Sequence, residues 1–201
     1  MPASPVLVKT VPEEIGVFDS IIDPTLGPAS DTERGPTALA DRPESLAGLR
    51  LGLLANTKRN AEQFLREVGE LLAEQHGVKA VLATKKMDIT DTAPRQILDD
   101  LRAGCDVVVV GVGDCGSCSA SAVADGIILE QSGIPAVVVC TDAFTASADA
   151  MAGLRGAPGY RYLTVAHPMA NLTPDGVREK GAAAIPGIVG LLTQRASLVS
   201  S

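Results

Sequence analysis

Cys115-Gly116-Ser117-Cys118 places two thiols three residues apart, directly after the apolar run Val107-Val108-Val109-Val110 and directly before a stretch patterned like a helix. The pair is therefore expected at the end of a buried strand, on the turn that opens a helix. On such a turn the unpaired N–H groups and the helix dipole favour a thiolate over a thiol. A second thiol three residues on can resolve whatever the first attacks. The spacing points to nucleophilic or redox chemistry. The competing reading, two small buried hydrophobes, describes many free cysteines but leaves the strand-to-helix placement unused.

Residues around the pair add possible roles. Gly111-Val112-Gly113-Asp114-Cys115-Gly116 has the glycine spacing of a dinucleotide loop, but it follows the third strand rather than the first. It also has no acidic residue ending a later strand at the required distance. Gly113, Gly116 and Ser117 are instead read as backbone that lets a small ligand approach the thiols. Asn56-Thr57-Lys58 ends an earlier strand. Lys58 is either a surface charge or a cation for a substrate carboxylate or a thiolate, and Asn56, Thr57 and Asn60 are expected to hydrogen-bond a polar substrate. Asp114 is either an acid/base or a residue that orients the turn. His167, before Pro168 at the end of the last strand, is expected at the site, and Thr141, Asp142 and Phe144 are expected to line its wall. Lys85 and Lys86 are weaker candidates, and His76, beside Gly77, reads as a surface residue.

Zinc sites commonly use two close ligand pairs. Beyond the thiol pair only Cys105, Cys140, His76 and His167 remain, and they form no second close pair, so no metal is expected. Cys105 precedes the third strand at the opposite end of the sheet and reads as structural. Cys140 ends the fourth strand near the site and reads as inert core.

The elements that must position these residues are legible from Leu49 onward. Leu51–Ala55, Val78–Ala83, Asp106–Val112, Ile134–Cys140 and Tyr160–Ala166 read as strands. Between them, Ala61–Gln75, a segment opening at Pro94, the stretch from the thiols to Gly133, and Phe144–Leu154 carry helical spacing. A last helix opens at Thr173-Pro174-Asp175 with a cap, a first-turn proline and a first-turn acid. It runs toward Leu192, with Pro186 expected to kink or split it. Five strand–helix repeats imply an α/β, doubly wound, mostly parallel five-stranded sheet. Its most common strand order is 2-1-3-4-5, the flavodoxin-like order. Ligands of such sheets bind at the carboxyl ends of the strands flanking the topological switch. Here those ends are Asn56-Thr57-Lys58 and Gly113-Asp114-Cys115, so topology and thiol chemistry select one crevice.

The bulk properties fit one such domain. The chain has 201 residues, 46% hydrophobic and 20% charged, with 2% aromatic residues and no Trp, so its core must be aliphatic. A net charge of −7 argues against nucleic acid or an anionic membrane as partner. No apolar run approaches the ~20 residues of a membrane span, and the first residues lack a secretory pattern. Four cysteines do not form a disulfide framework at this length. A cytoplasmic protein is expected. Residues 1–46 read as an irregular N-terminal arm lying against the domain or a second subunit, with a homodimer as one outcome, and residues 47–201 as the α/β domain.

The run Val112-Gly-Asp-Cys-Gly-Ser-Cys-Ser-Ala-Ser, followed by Gly133-Ile-Pro-Ala-Val-Val-Val-Cys-Thr-Asp-Ala-Phe and by Ala166-His167-Pro168, resembles the UGSC-motif proteins. In them the first motif position is selenocysteine in some members and cysteine in others. The resemblance covers about residues 48–195, including Asn56-Thr57-Lys58-x-Asn60-Ala61. More distantly, over about residues 106–170, the chain is similar to the C-terminal part of the selenoprotein B component of glycine, sarcosine and betaine reductases. The resemblance implies that Cys115 holds the selenocysteine position and attacks, with Cys118 as resolving thiol. In the reductases the selenol takes a carbon fragment from an amine leaving group and a partner protein receives it, which implies a carrier protein as a possible partner. This chain has sulfur at that position and lacks the reductase subunit's extra length.

The expectation is therefore broader: Cys115 attacks a small polar or anionic substrate and cleaves a carbon–heteroatom bond reductively or lytically. Cys118 then forms a disulfide that an external thiol reduces, with no tightly bound cofactor. The alternatives are a thiol-disulfide oxidoreductase without a substrate pocket and a small-ligand binding or subunit module with structural cysteines.

Overall fold

Successive residues of a strand point to opposite faces, so a parallel sheet whose central strands are apolar throughout must be covered by helices on both sides. The computed structural model, which describes residues 39–193, has this architecture. In chain order it contains β1 (Arg50–Ala55), α1 (Ala61–His76), β2 (Ala80–Lys85), α2 (Arg95–Gly104), β3 (Val107–Gly113), α3 (Gly116–Gln131) and β4 (Ala136–Thr141). A 3-10 turn (Asp142–Phe144), α4 (Thr145–Leu154), β5 (Leu163–Val165) and α5 (Pro174–Thr193) follow. All strand pairs are parallel, in the order β2-β1-β3-β4-β5. The doubly wound α/β fold and its strand order are as the sequence implies.

The core has two layers. Val107, Val109, Val137 and Val139 meet Phe64, Leu65, Val68 and Leu72 of α1 and Val177, Ile185, Ile188 and Leu192 of α5. Their neighbours in sequence, Val108, Val110 and Val138, point the other way onto Leu101 of α2, Val123 and Ile127 of α3 and Ala148 and Ala152 of α4. Helices α1 and α5 thus cover one face and α2, α3 and α4 the other, as right-handed crossovers require for this order. Among the described residues no helix is long and apolar enough to cross a membrane.

Two elements differ from expectation. Strand β5 has three residues rather than seven. The tyrosines before it anchor through their hydroxyls instead: Tyr160 Oη donates to Ala136 O at 3.3 Å and Tyr162 Oη to Asp149 Oδ1 at 2.7 Å. Helix α5 runs unbroken through Pro186. Pro186 and Ala182, four residues before it, are both exposed, so the hydrogen bond a proline removes is lost on the solvent side, where it costs least.

Part of the segment expected as an arm is also described. Arg42 meets Glu130 of α3 through two hydrogen bonds of 2.8 and 2.7 Å and donates to Leu191 O of α5, and Leu46 is buried in the α1–α5 layer. The rest of that segment, residues 1–38, lies outside the described residues, as do residues 194–201.

Candidate functional site

All five strands point their carboxyl ends to one side of the sheet, and the thiol pair sits there. Strand β3 ends at Gly113, Asp114 follows, and Cys115 is the extended N-cap residue of α3 (φ −161°). Its sulfur accepts the Cys118 N–H at 3.2 Å, the position a capping side chain takes on an N-terminal turn. A disulfide joins Cys115 and Cys118, with Cα atoms 5.3 Å apart. Cys115 is half-buried and Cys118 fully buried, so solvent reaches only the outer sulfur. Ser117 Oγ lies 3.7 Å from Cys115 Sγ.

Beside the pair, Asp114 is a buried carboxylate supplied with donors from several elements. The backbone N–H groups of Met169 and Ala170 each donate to it at 3.0 Å. His167 Nδ1 stands 3.0 Å from its Oδ1, and Lys58 Nζ is 3.9 Å from its Oδ2. These partners offset the cost of taking a carboxylate out of water. His167 also has Thr141 Oγ1 at 3.3 Å from Nδ1 and Phe144 edge-on to its ring, with centroids 5.4 Å apart. Its backbone N–H donates to Asp142 Oδ1 at 3.0 Å.

The loop after β5 places His167, and the chain fastens it from two further sides. Asn60, in the left-handed region at φ 68° just before α1, turns its amide Nδ2 to Met169 O, Ala170 O and Leu172 O at 3.0, 3.3 and 3.0 Å. Asparagine tolerates that backbone conformation better than most residues with a side chain. Lys180 Nζ of α5 caps the carbonyls of Ala166 and Pro168. Met169 is fully buried. The loop thus docks on the junction of β1 and β3 and occupies part of the crevice expected there. Cys115, Ser117, Lys58, Asp142, Phe144 and His167 remain at least partly exposed on its rim.

The expected site residues divide accordingly. Cys115, Cys118, Asp114, His167, Lys58, Thr141 and Phe144 come together. Asn56 is buried and spends its amide on the backbone: Nδ2 donates to Val112 O at 2.9 Å and Oδ1 accepts the Lys58 N–H at 3.1 Å. It ties β1 to β3 and shapes the turn that carries Lys58, and Asn60 holds the His167 loop. Gly113 is buried where a Cβ would stand 2.6 Å from Ser119 Oγ and 2.7 Å from Cys140 Sγ, so close packing requires a glycine there. At Gly116 a Cβ would meet Ser147 Oγ at 3.2 Å, which sets the first turn of α3 against α4. Thr57 is exposed on the turn after β1.

Lys85 pairs with Glu62 on the surface at 3.1 Å, and Lys86 is buried against Asp125 at 2.5 Å, so neither joins the thiols. Cys105 and Cys140 are buried thiols; burial raises the pKa of both, that of Cys140 to about 12. Among the described residues, no group of three or more His, Cys, Asp or Glu side chains is arranged to hold a metal ion. Sequence reasoning missed the Met169 and Ala170 N–H groups and Lys180. Backbone donors in a loop leave no trace in residue identity, and Lys180 looks like any exposed helical lysine.

Fold and site together define a doubly wound α/β protein with a CxxC pair at the third strand's carboxyl end, backed by an aspartate–histidine pair. More specifically, the chain belongs to the UGSC family, whose family model matches residues 20–194. No curated protein matches the chain.

Proposed function

We propose that this protein is a cysteine-nucleophile enzyme that cleaves a carbon–heteroatom bond in a small polar or anionic substrate. The observation that carries the reading is the asymmetry of the pair: Cys115 is half-exposed at the N-terminus of α3 and bonded to a wholly buried Cys118, with Asp114, His167 and Lys58 alongside. Reduced Cys115 is favoured as thiolate by the Cys118 N–H and the helix dipole. It attacks the carbon of a substrate R–X, and X departs with the bonding electron pair and takes up a proton. Cys118 then attacks the Cys115 sulfur, and R departs with the carbon–sulfur pair and a proton. The sum is R–X plus two thiols giving R–H, H–X and the disulfide, which an external dithiol reduces. Lys58 supplies a cation for an anionic substrate group. Such a cycle suits a reducing compartment such as the cytoplasm.

A second reading, a thiol-disulfide oxidoreductase, is favoured by the same exposed-outer, buried-inner pair. The Lys58 cation beside the thiols favours the first, because it offers a small anionic substrate a partner that disulfide exchange does not require. The test is alkylation of the reduced protein across pH, with the labelled cysteines identified by mass spectrometry. Cys115 is expected to react first and at the lowest pH. If neither Cys115 nor Cys118 outpaces Cys105 and Cys140, both thiol readings fail.

A further inference from the structure

We infer that Asp114 and Thr141 lock His167 in the tautomer that carries its proton on Nδ1, which makes Nε2 the nitrogen that can take up a proton at the site. The inference rests on the proposed thiol chemistry for its purpose, but on hydrogen-bond geometry for its content.

A neutral imidazole has one N–H and one lone pair, and the partners of one nitrogen decide the state of the other. Two oxygens face Nδ1. Asp114 Oδ1, at 3.0 Å, belongs to a carboxylate that already accepts the Met169 and Ala170 N–H groups and can only accept. Thr141 Oγ1, at 3.3 Å, has a single hydrogen, and it is directed to Gly113 O at 3.2 Å, so toward His167 this oxygen also accepts. The opposite tautomer would set a carboxylate oxygen against a nitrogen lone pair at 3.0 Å. Nδ1 therefore holds the proton, and Nε2, which has no partner among the described residues, keeps its lone pair.

Thr141 is fully buried, so it acts by positioning His167 rather than by touching substrate. The ring is held in place by the His167 N–H bond to Asp142, the edge contact with Phe144 and the Lys180 clasp on the neighbouring carbonyls. The charged groups around it are Asp114 from the end of β3, Lys58 after β1, Asp142 after β4 and Lys180 from α5. In the proposed cycle Nε2 takes up a proton as the Cys115 thiolate forms, Asp114 stabilises the resulting imidazolium, and Nε2 gives that proton to the departing heteroatom.

The chain has two histidines, so its imidazole nitrogen spectrum is simple. The experiment is long-range proton–nitrogen NMR on the reduced, nitrogen-15-labelled full chain above the imidazole titration range, assigned with His76→Gln. His167 is expected as the Nδ1–H tautomer in the wild type and in Thr141→Ser, which keeps the acceptor. Thr141→Val and Asp114→Asn are expected to mix in the Nε2–H form and to slow Cys115 alkylation at neutral pH on the order of tenfold, whereas Thr141→Ser keeps the wild-type rate. An Nε2–H tautomer in the wild type overturns the inference without needing any variant to fold. An undiminished Nδ1–H signature in both Thr141→Val and Asp114→Asn overturns it as well. Failure of the thiol reading shows separately, as a Cys115 that reacts no faster than Cys105 or Cys140.

Discussion

A thiol inside a β-sheet has no water to stabilise its anion, and Cys140 of β4 shows the consequence. Burial pushes its pKa up to about 12. In the unfolded chain the same thiol ionises at ~8.5. Between those two values the unfolded state loses a proton that the folded state keeps, so folding stability falls as pH rises through that window. Burial raises the pKa of Cys105 too, and its ionisation acts in the same direction. The urea midpoint of the disulfide-bonded protein is expected to decline with alkaline pH, and to decline less steeply in Cys140→Ala whatever constant offset the substitution brings. Parallel pH slopes for the two proteins would rule Cys140 out as the cause. Cys115 differs because its sulfur sits at a helix N-terminus at the protein surface. Position, not residue type, separates Cys115 from the two buried thiols.

At the scale of elements, the site depends on how closely α3 approaches the sheet. Gly126, on the buried side of α3, sits where a Cβ would run into Val138 of β4 and come within 2.7 Å of the Tyr160 hydroxyl. Strand β4 is wholly buried between its neighbours, and Tyr160 is tied to Ala136 O, so neither can yield cheaply. Gly126→Ala is expected to destabilise the protein by about 1–3 kcal/mol in urea unfolding. Gly153, also helical, has open space around its missing Cβ, and Gly153→Ala there is expected to be neutral or stabilising by up to about 1 kcal/mol. Equal effects at the two glycines would mean that helix propensity rather than packing decides. The apolar spacing along α3 is legible in the sequence. Its closeness to β4 is not, because a helical glycine looks the same whether it is exposed or pressed against a strand.

At the scale of the molecule, buried ion pairs join segments far apart in sequence. Lys86, after β2, reaches Asp125 of α3 at 2.5 Å and also meets Ser121 Oγ and Asp91 O, while Asp125 accepts the Ala93 N–H at 2.7 Å. Burial raises the Asp125 pKa even with Lys86 beside it. Removing one partner leaves the other charge buried and unpaired, so Lys86→Met is expected to cost about 3–5 kcal/mol. Adding Asp125→Asn should recover part of that loss, because it removes the unpaired charge while keeping an acceptor for the Ala93 N–H. A double variant no more stable than Lys86→Met would mean that the pair itself holds the loop after β2 to α3. Arg42 and Glu130 join residues 39–46 to α3 in the same way.

The sequence by itself determined the α/β class, the five strands, their order and the address of the thiols. Class, strands and address follow from periodicity, which acts locally, and the order is the commonest of the few that the single hand of crossover connections leaves open. Asn56, Lys58, Asp114 and Cys115 were legible as neighbours for that reason. Only the tertiary structure decided the rest of the site. The His167 loop lies on Asp114 because Asn60, Lys180 and two backbone N–H groups from distant segments hold it there, and no pattern along the chain encodes those meetings. Nor does the sequence distinguish Lys58, half-exposed beside Asp114, from Lys86, buried against Asp125, since identical side chains take their roles from what folding places opposite them. Folding leaves the Cys115 sulfur half-exposed, buries that of Cys118 and sets the His167 ring on Asp114.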